Sequence, residues 1–414
     1  MKKKIAFIVQ RYGPEVNGGA EYHCRIIAEK LSSIYDVEVL TSCASDYLTW
    51  ANVYPEGEES INGVKVIRFA VNAERDRKNL RASVKKLKKK QLHQVALRAL
   101  GLLNVYERIV PYKITIDDFD KWTQYQGPYV PKLINYLNAN HDQYKALIFF
   151  TYLYYPTIQG IKVAPEKSIL IPTAHDEPPI YFPFFKKFFN TPKAILYNTI
   201  SEKRFVNRMF NNDNIYSDIV GVGIEPVEPA VVYDVKEVLK TDCEYLIYIG
   251  RIDASKGCKI LFDYFLNYKK NGHKNIKLVL VGQTFMKIPA DDDIIAMGFI
   301  DEDIKFALLK NAIALIMPSF YESLSLVTLE SMSYGIPVIA NKDCEVLKDH
   351  IENSHAGFLF NDYKSFEKAL DTIVSPQFDV SILSANAKKY VAENYTWDVT
   401  IKKYQKAIAQ VSPR

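Results

Sequence analysis

The stretch Ala314–Ala340, ALIMPSFYESLSLVTLESMSYGIPVIA, reads as a strand, a loop, a helix and a second strand. Ala314 to Met317 is a short apolar run of the kind buried on both faces of a parallel sheet. Pro318 ends it, Ser323-Leu324-Ser325 supply turn residues, and the segment from Leu326 stops at Gly335, the usual residue just past a helix C-terminus. A second apolar run returns from Pro337. The loop places Glu322 before the helix and Glu330 near its middle, on the side where strand carboxyl ends open. Backbone N–H groups around Ser325 and Leu326 are expected to point the same way, because a helix N-terminus is a ready anion site, and Ser325 is expected to cap it. A carboxylate accepts from two neighbouring hydroxyls. Two carboxylates flanking an anion site therefore suit a sugar nucleotide; the plain alternative is an exposed turn acid and a surface helix acid.

The same alternation extends outward. Ile5–Val9, Val37–Thr41, Val64–Phe69, Ala146–Phe150 and Ser168–Pro172 read as buried strands, and a second series runs through Tyr245–Ile249, Lys277–Val281, Ile294–Met297, Ala314–Met317 and Pro337–Ala340. Helical segments or turns separate them, the pattern of an α/β chain with doubly wound parallel sheets. Gly221, Gly223, Pro226 and Pro229 mark the best linker between the series. The expected organisation is a Rossmann-like domain over 1–223, a linker over 224–243 and a second Rossmann-like domain over 244–385, facing each other across a cleft.

At 414 residues and 48% hydrophobic, the chain has core enough for two or three domains. A formal charge of +5 is too small at this length to imply nucleic-acid binding, and no nucleic-acid partner is expected. Five cysteines form no C-x-x-C pair, which makes a reducing cytoplasm the expected compartment. The apolar run after Lys2-Lys3-Lys4 is too short for a signal-peptide core and reads as a strand. No run reaches the roughly 18 apolar residues of a membrane span.

Charge is nevertheless clustered: residues 75–98 hold ten Lys or Arg against one acid, Asp76, with Leu80, Val84, Leu87, Gln91 and Val95 at helical spacing. A basic amphipathic helix of this kind docks on anionic lipid or simply covers one edge of a domain. Aromatics cluster too, with eleven Tyr or Phe in the 41 positions from Phe149 to Phe189, read either as a packed core or as flat faces for a sugar ring or lipid tail.

Two further turns carry chemistry. Gly250-Arg251-Ile-Asp-Ala-Ser-Lys256-Gly257 leaves a strand with two cations five residues apart, able to fork onto and neutralise a departing diphosphate. Gly18-Gly19-Ala20-Glu21 runs from the first strand into the first helix, where paired glycines permit close backbone approach to a ligand. Asp301-Glu302-Asp303 has D-x-D spacing but opens a helix, so it reads as a cap with acids favourable to the dipole rather than a metal site, and Asp291-Asp292-Asp293 reads as a solvated loop. The dinucleotide fingerprint G-x-G-x-x-G is absent.

Taken together, Gly18-Gly19-Ala20-Glu21, Gly250-Arg251…Lys256-Gly257 and Glu322-x7-Glu330 followed by Gly335-Ile-Pro337 resemble glycosyltransferase family 4. The resemblance extends to Thr173-Ala-His175-Asp176, Gly221-Val-Gly223 and Tyr395-Thr-Trp397, and so spans nearly the whole chain. It implies the GT-B fold, with residues 386–414 crossing back onto the first domain, and a retaining transfer from a nucleoside-diphosphate sugar with neither metal nor cofactor. By the same resemblance Arg251 and Lys256 would bind the donor diphosphate, Glu322 the sugar hydroxyls, Glu330 the ribose, and the amides of Ser325 and Leu326 the phosphates. Gly18 and Gly19 would let the first loop reach the donor, and His175 would contact its sugar. The chain departs from the family in having Ser323 and Ser325 where glycine or proline is common, and in lacking the second glycine after Val281-Gly282. The expected acceptor is a glycan or lipid-linked hydroxyl, with peripheral contact at the inner membrane face through 75–98. The rival readings are a sugar-nucleotide epimerase of the same fold and a noncatalytic sugar-nucleotide-binding partner.

Overall fold

The computed structural model describes residues 2–16, 18–88, 97, 100, 102, 115–226, 233–272 and 276–411. The chain divides into two compact units, one made of Met1–Asn198, Glu202–Val220 and Ile401–Arg414, the other of Thr199–Ser201 and Gly221–Thr400.

The first unit is built on an eight-stranded sheet. Its strands are β1 (Lys4–Ile8), β2 (Asp36–Ser42), β3 (Gly57–Ile61), β4 (Val64–Phe69), β5 (Ala146–Phe150), β6 (Ser168–Ile171), β7 (Ala194–Tyr197) and β8 (Tyr216–Ile219). The order is β3-β4-β2-β1-β5-β6-β7-β8, parallel throughout except for the β3–β4 hairpin. Asn62 and Gly63 close that hairpin with both φ positive, as a two-residue turn matched to strand twist requires. Strand β3 escapes a search for apolar runs because it is Gly-Glu-Glu-Ser-Ile, exposed at all but its last residue. Acids at a sheet edge oppose pairing with another chain.

The first helix, Gly19–Ser32, buries Cys24, Ile27, Ala28 and Leu31 at i, i+3, i+4 and i+7, while Arg25 and Glu29 pair along a less buried face. The helix Arg77–Lys88 behaves in the same way. Leu87 is buried, and Leu80 and Val84 pack on the domain core, so over these residues the apolar face is already covered by the protein. Its cations Arg77, Lys78, Arg81, Lys85 and Lys86 remain exposed, and most of 89–98 lies outside the described residues.

The aromatic cluster is largely core. Phe149, Tyr152, Tyr155, Phe182, Phe185, Phe188 and Phe189 are all buried, joined by Phe119 and Trp122. Phe119 stacks on Phe184 with centroids 4.7 Å apart, and Phe189 on Phe210 at 4.5 Å. Each such ring contributes about 1.5–3 kcal/mol through burial. Tyr154 and Tyr181 stay partly or largely exposed.

The second unit holds a wholly parallel six-stranded sheet of β9 (Tyr245–Ile249), β10 (Lys277–Val281), β11 (Ile294–Gly298), β12 (Ala314–Met317), β13 (Val338–Asn341) and β14 (Gly357–Phe360). The order β11-β10-β9-β12-β13-β14 makes β9 and β12 neighbours although β10 and β11 come between them in the chain. The strand order therefore reverses at β9/β12, and in such sheets ligands bind outside the strand ends at this switch point.

Gly223 lies against Trp397, where a Cβ would come within 2.3 Å of the indole, and Ile224 N–H donates to Tyr395 O at 2.6 Å. The helix Val380–Asn394 crosses Gly335, whose Cβ would meet Ser384 Oγ at 2.3 Å. Residues 386–400 thus belong with the second unit, and the chain re-enters the first unit at Ile401, within the helix Trp397–Gln410, rather than near 386. Of the expected linker, 233–243 carries the short helix Val235–Leu239 and also joins the second unit, while 227–232 lies outside the described residues.

Candidate active site

The loops leaving β9 and β12 are pressed together. After Ile249 the chain turns at Gly250, Ile252 bridges to Thr284, and Asp253 opens a single 3-10 turn, Ala254–Lys256. The Asp253 carboxylate accepts from Lys256 N–H at 3.0 Å and Ser255 Oγ at 2.5 Å. Burial works against the ionised form of Asp253, but these hydrogen bonds, with Arg251 nearby, outweigh it and hold the carboxyl below the usual range. Gly257 follows with φ +77°, and a Cβ there would lie 2.1 Å from Pro318 O. Only glycine lets the two loops meet this closely.

The result is a cation–carboxylate pair. Lys256 Nζ lies 2.7 Å from Glu322 Oε1, with side chains 26% and 13% exposed. Glu322 Oε2 has no partner among the described residues, so one oxygen is held by the lysine and the other is available to a ligand hydroxyl. Arg251 lies at the same loop, more than half exposed, its Nε 3.6 Å from Asp253.

The helix after Glu322 begins unusually. Ser325 occupies the N-cap position with φ 59° and ψ 68°, in the left-handed region, and its hydroxyl meets Thr328 Oγ1 at 2.8 Å. The expected side-chain cap is therefore absent. Ser325 thus takes a conformation that favours glycine, and the first-turn N–H groups of Leu326 and Val327 have no acceptor among the described residues. Glu330 stands on the same helix, Leu326–Tyr334, 3.6 Å from Lys305. Burial raises its pKa against the pull of that lysine.

Two groups here were not evident in the sequence. Lys305 comes from the helix Glu302–Asn311, where Asp301 takes the N-cap position without a side-chain cap. His350 is fully buried, with Nε2 2.8 Å from Leu324 O and Nδ1 3.1 Å from Tyr390 Oη, so it ties the Glu322 loop to two other elements. A histidine in mid-helix gives no sequence signal of such a role. Asp293 is likewise engaged, 2.8 Å from Lys277 and 3.0 Å from Lys269, and is not a solvated loop acid.

In the first unit the predicted residues lie at the carboxyl ends of β1 and β6. Gly18 precedes the first helix, and a Cβ there would come 2.2 Å from Glu21 Oε2; Gly19 faces open space. Glu21 accepts from Arg11 at 2.6 Å and Gln10 at 2.8 Å, all three buried. His175 is 40% exposed, its Nε2 3.8 Å from Glu177, while its buried Nδ1 has no partner among the described residues. Its loop is held by Glu202, which accepts from Ala174 N–H at 2.6 Å and Asn198 N–H at 2.7 Å.

Two doubly wound sheets, parallel but for the β3–β4 hairpin, one with a cation–carboxylate pair and open amides at its switch point, define an α/β protein of the GT-B class. Residues 233–392 match the family Glycosyl transferases group 1. The chain is 24% identical to an uncharacterized glycosyltransferase of Methanocaldococcus jannaschii over 95% of each chain. Over 35% of this chain and 42% of the relative it is 26% identical to a PP-undecaprenol-glycan alpha-1,4-N-acetyl-D-galactosaminyltransferase of Campylobacter jejuni. Among solved structures it is similar to Anabaena HepE in complex with UDP and glucose, with a TM-score of 0.67, 13% identity and coverage of 98% of this chain and 99% of that one. These relationships support a sugar-transfer role. Among the described residues no helix is long and apolar enough to cross a membrane.

Proposed function

We propose that the protein is a retaining glycosyltransferase of the family 4 type. It takes a hexose-type sugar from a nucleoside diphosphate and passes it to a hydroxyl of a glycan or lipid-linked acceptor in surface polysaccharide or glycolipid assembly. The observation that carries this reading is the Lys256–Glu322 pair at the β9/β12 switch point. Lys256 and Arg251 stabilise negative charge on the diphosphate as the glycosidic bond breaks, which is charge that grows in the transition state. The open amides of Leu326 and Val327 take a phosphate oxygen. Glu322 Oε2 holds a sugar hydroxyl, Glu330 the ribose hydroxyls, and Phe285 and Phe299, 59% and 89% exposed on loops after β10 and β11, offer faces to the base. Transfer proceeds on the face the phosphate leaves, with that phosphate accepting the hydroxyl proton, so residue roles are electrostatic and positional. Gly18, Gly19 and His175 serve the sugar end.

The first unit takes the acceptor. In this reading the exposed cations of Arg77–Lys88 make contact with anionic lipid by charge alone, since the apolar side of that helix is used in the core. The HepE complex and the undecaprenol-linked substrate of the Campylobacter relative are properties of those proteins that agree with this assignment.

The deciding experiment is thermal denaturation of the purified chain with UDP, GDP, ADP and TDP sugars, because a ligand at 100 times its dissociation constant adds about 2.7 kcal/mol. Stabilisation by one nucleotide family is expected, and its absence with all of them would overturn the reading. The anomeric configuration of the product then tests retention.

A further inference from the structure

The geometry points to Arg75 as an anion-recognition residue of the acceptor site, selecting an acceptor that carries a phosphate or diphosphate group. This rests on the assignment of the first unit to the acceptor. Arg75 lies on the loop leaving the carboxyl end of β4, beside the loops that leave β2, β1 and β5, the edge of a parallel sheet where ligands bind. The loop is anchored: Asn72 N–H donates to Tyr129 O at 2.9 Å, Val71 N–H to Asn52 Oδ1 at 2.8 Å and Arg75 N–H to Thr49 O at 2.7 Å. The guanidinium is oriented by Tyr47 O at 2.6 Å and Gln126 Oε1 at 3.2 Å and lies 5.9 Å from the Trp50 ring.

Both acceptors are neutral. A guanidinium has five N–H donors, and among the described residues no carboxylate pairs with Arg75. Its position contrasts with that of Arg11, which also flanks Tyr47, 5.5 Å from the ring, but is neutralised by Glu21 at 2.6 Å. Partly withdrawn from water, held on two sides and lacking a counter-ion, Arg75 has an electrostatic vacancy that a phosphate fills with a forked pair of hydrogen bonds. Burial lowers its pKa, the direction expected of a desolvated cation without an acid beside it. Tyr47 and Leu48, both nearly half exposed, and the part-exposed Tyr154 supply the surface around it. Arg77, Lys78 and Arg81 extend positive charge from this point along the next helix, so the favoured acceptor is highly anionic rather than a neutral glycan.

The test is calorimetric titration of the full chain with inorganic pyrophosphate, comparing wild type, Arg75→Met, Arg75→Lys and Lys256→Ala. Arg75→Met is expected to weaken one pyrophosphate binding event about tenfold or more, with UDP and GDP affinities unchanged within about twofold. Lys256→Ala is expected to weaken UDP and GDP binding together with the pyrophosphate event at the donor site, and to leave the Arg75-dependent event unchanged. Arg75→Lys, which keeps the charge and loses the fork, should fall between, and unchanged melting temperatures confirm that the variants fold. Pyrophosphate binding unaltered by Arg75→Met overturns this inference and leaves the donor assignment standing; nucleotide binding unaltered by Lys256→Ala overturns the donor assignment instead. Titration with farnesyl diphosphate and glucose 1-phosphate separates the sources: stronger Arg75-dependent binding of the first identifies a lipid-linked diphosphate, and of the second a free sugar phosphate.

Discussion

Lys256 Nζ and Glu322 Oε1 lie 2.7 Å apart although 66 residues separate them in the chain. The contact exists because β9 and β12 are adjacent in the sheet and Gly257 lets their loops touch at Pro318. An ammonium held this way is oriented before the substrate arrives, which is what transition-state stabilisation requires. Lys256→Ala should therefore lower kcat about a hundredfold or more, on the scale of losing one preorganised donor. Steady-state kinetics with the nucleotide sugar identified by thermal shift check it; an unchanged kcat removes Lys256 from the chemistry.

Glu330 is predicted to act on binding rather than turnover. Glu330→Ala should weaken nucleotide affinity by about 1.5–3 kcal/mol, the range for a hydrogen bond to a charged group. Its raised pKa has a second consequence. An acid whose folded value lies above its unfolded value contributes stability below the unfolded value and loses it as pH rises through the folded value. Glu330→Gln should accordingly gain stability relative to wild type as pH climbs from about 4 to neutrality, read as the difference between two denaturation series.

Gly257 and Gly272 make a controlled comparison. Both have positive φ, +77° and +78°, but a Cβ at Gly257 meets Pro318 O at 2.1 Å whereas none at Gly272 meets anything within 4 Å. Gly272→Ala should cost about 1 kcal/mol from backbone strain alone. Gly257→Ala should cost about 2 kcal/mol or more beyond that, because the loops must separate, and should also weaken nucleotide binding. Equal losses of melting temperature would show that the loop contact is unimportant.

His350 fixes the loop that carries Glu322. Burial lowers its pKa, so its neutral form is the folded one and the sign is opposite to that of Glu330. Stability from this group is present above about pH 6.5 and is lost as pH falls through the depressed folded value. His350→Phe should cost about 1–3 kcal/mol at neutral pH by leaving Leu324 O unsatisfied, and should flatten the stability profile on the acid side. Chemical denaturation at pH 7.5 and 5.5 measures both effects.

Strands buried on both faces announce themselves as apolar runs, so the central elements of both sheets are legible from residues such as Ile5–Ile8 and Leu246–Ile249. Beyond them the signal is uneven: β3 carries two acids and β14 is four residues beginning with glycine, so neither is read from the sequence; the buried four-residue β7 is missed as well, while the edge strand β11 is read over Ile294–Met297. The basic segment shows the same limit in another way. Its helical spacing is in the sequence, but whether Leu80 and Val84 face lipid or protein depends on a core assembled from residues 119–189.

By itself the sequence determined the two α/β series and the residue types at each strand end, because burial in a parallel sheet and the chemistry of glycine, arginine and glutamate are local properties. Tertiary structure decided which of those ends meet. Strand order brings Lys256 to Glu322, helix packing brings Lys305 to Glu330 and His350 to Leu324, and the folded loop leaves Arg75 without an acid among the described residues. Such pairings depend on distance in space, and a charge has no partner until the fold has placed one within a few ångströms.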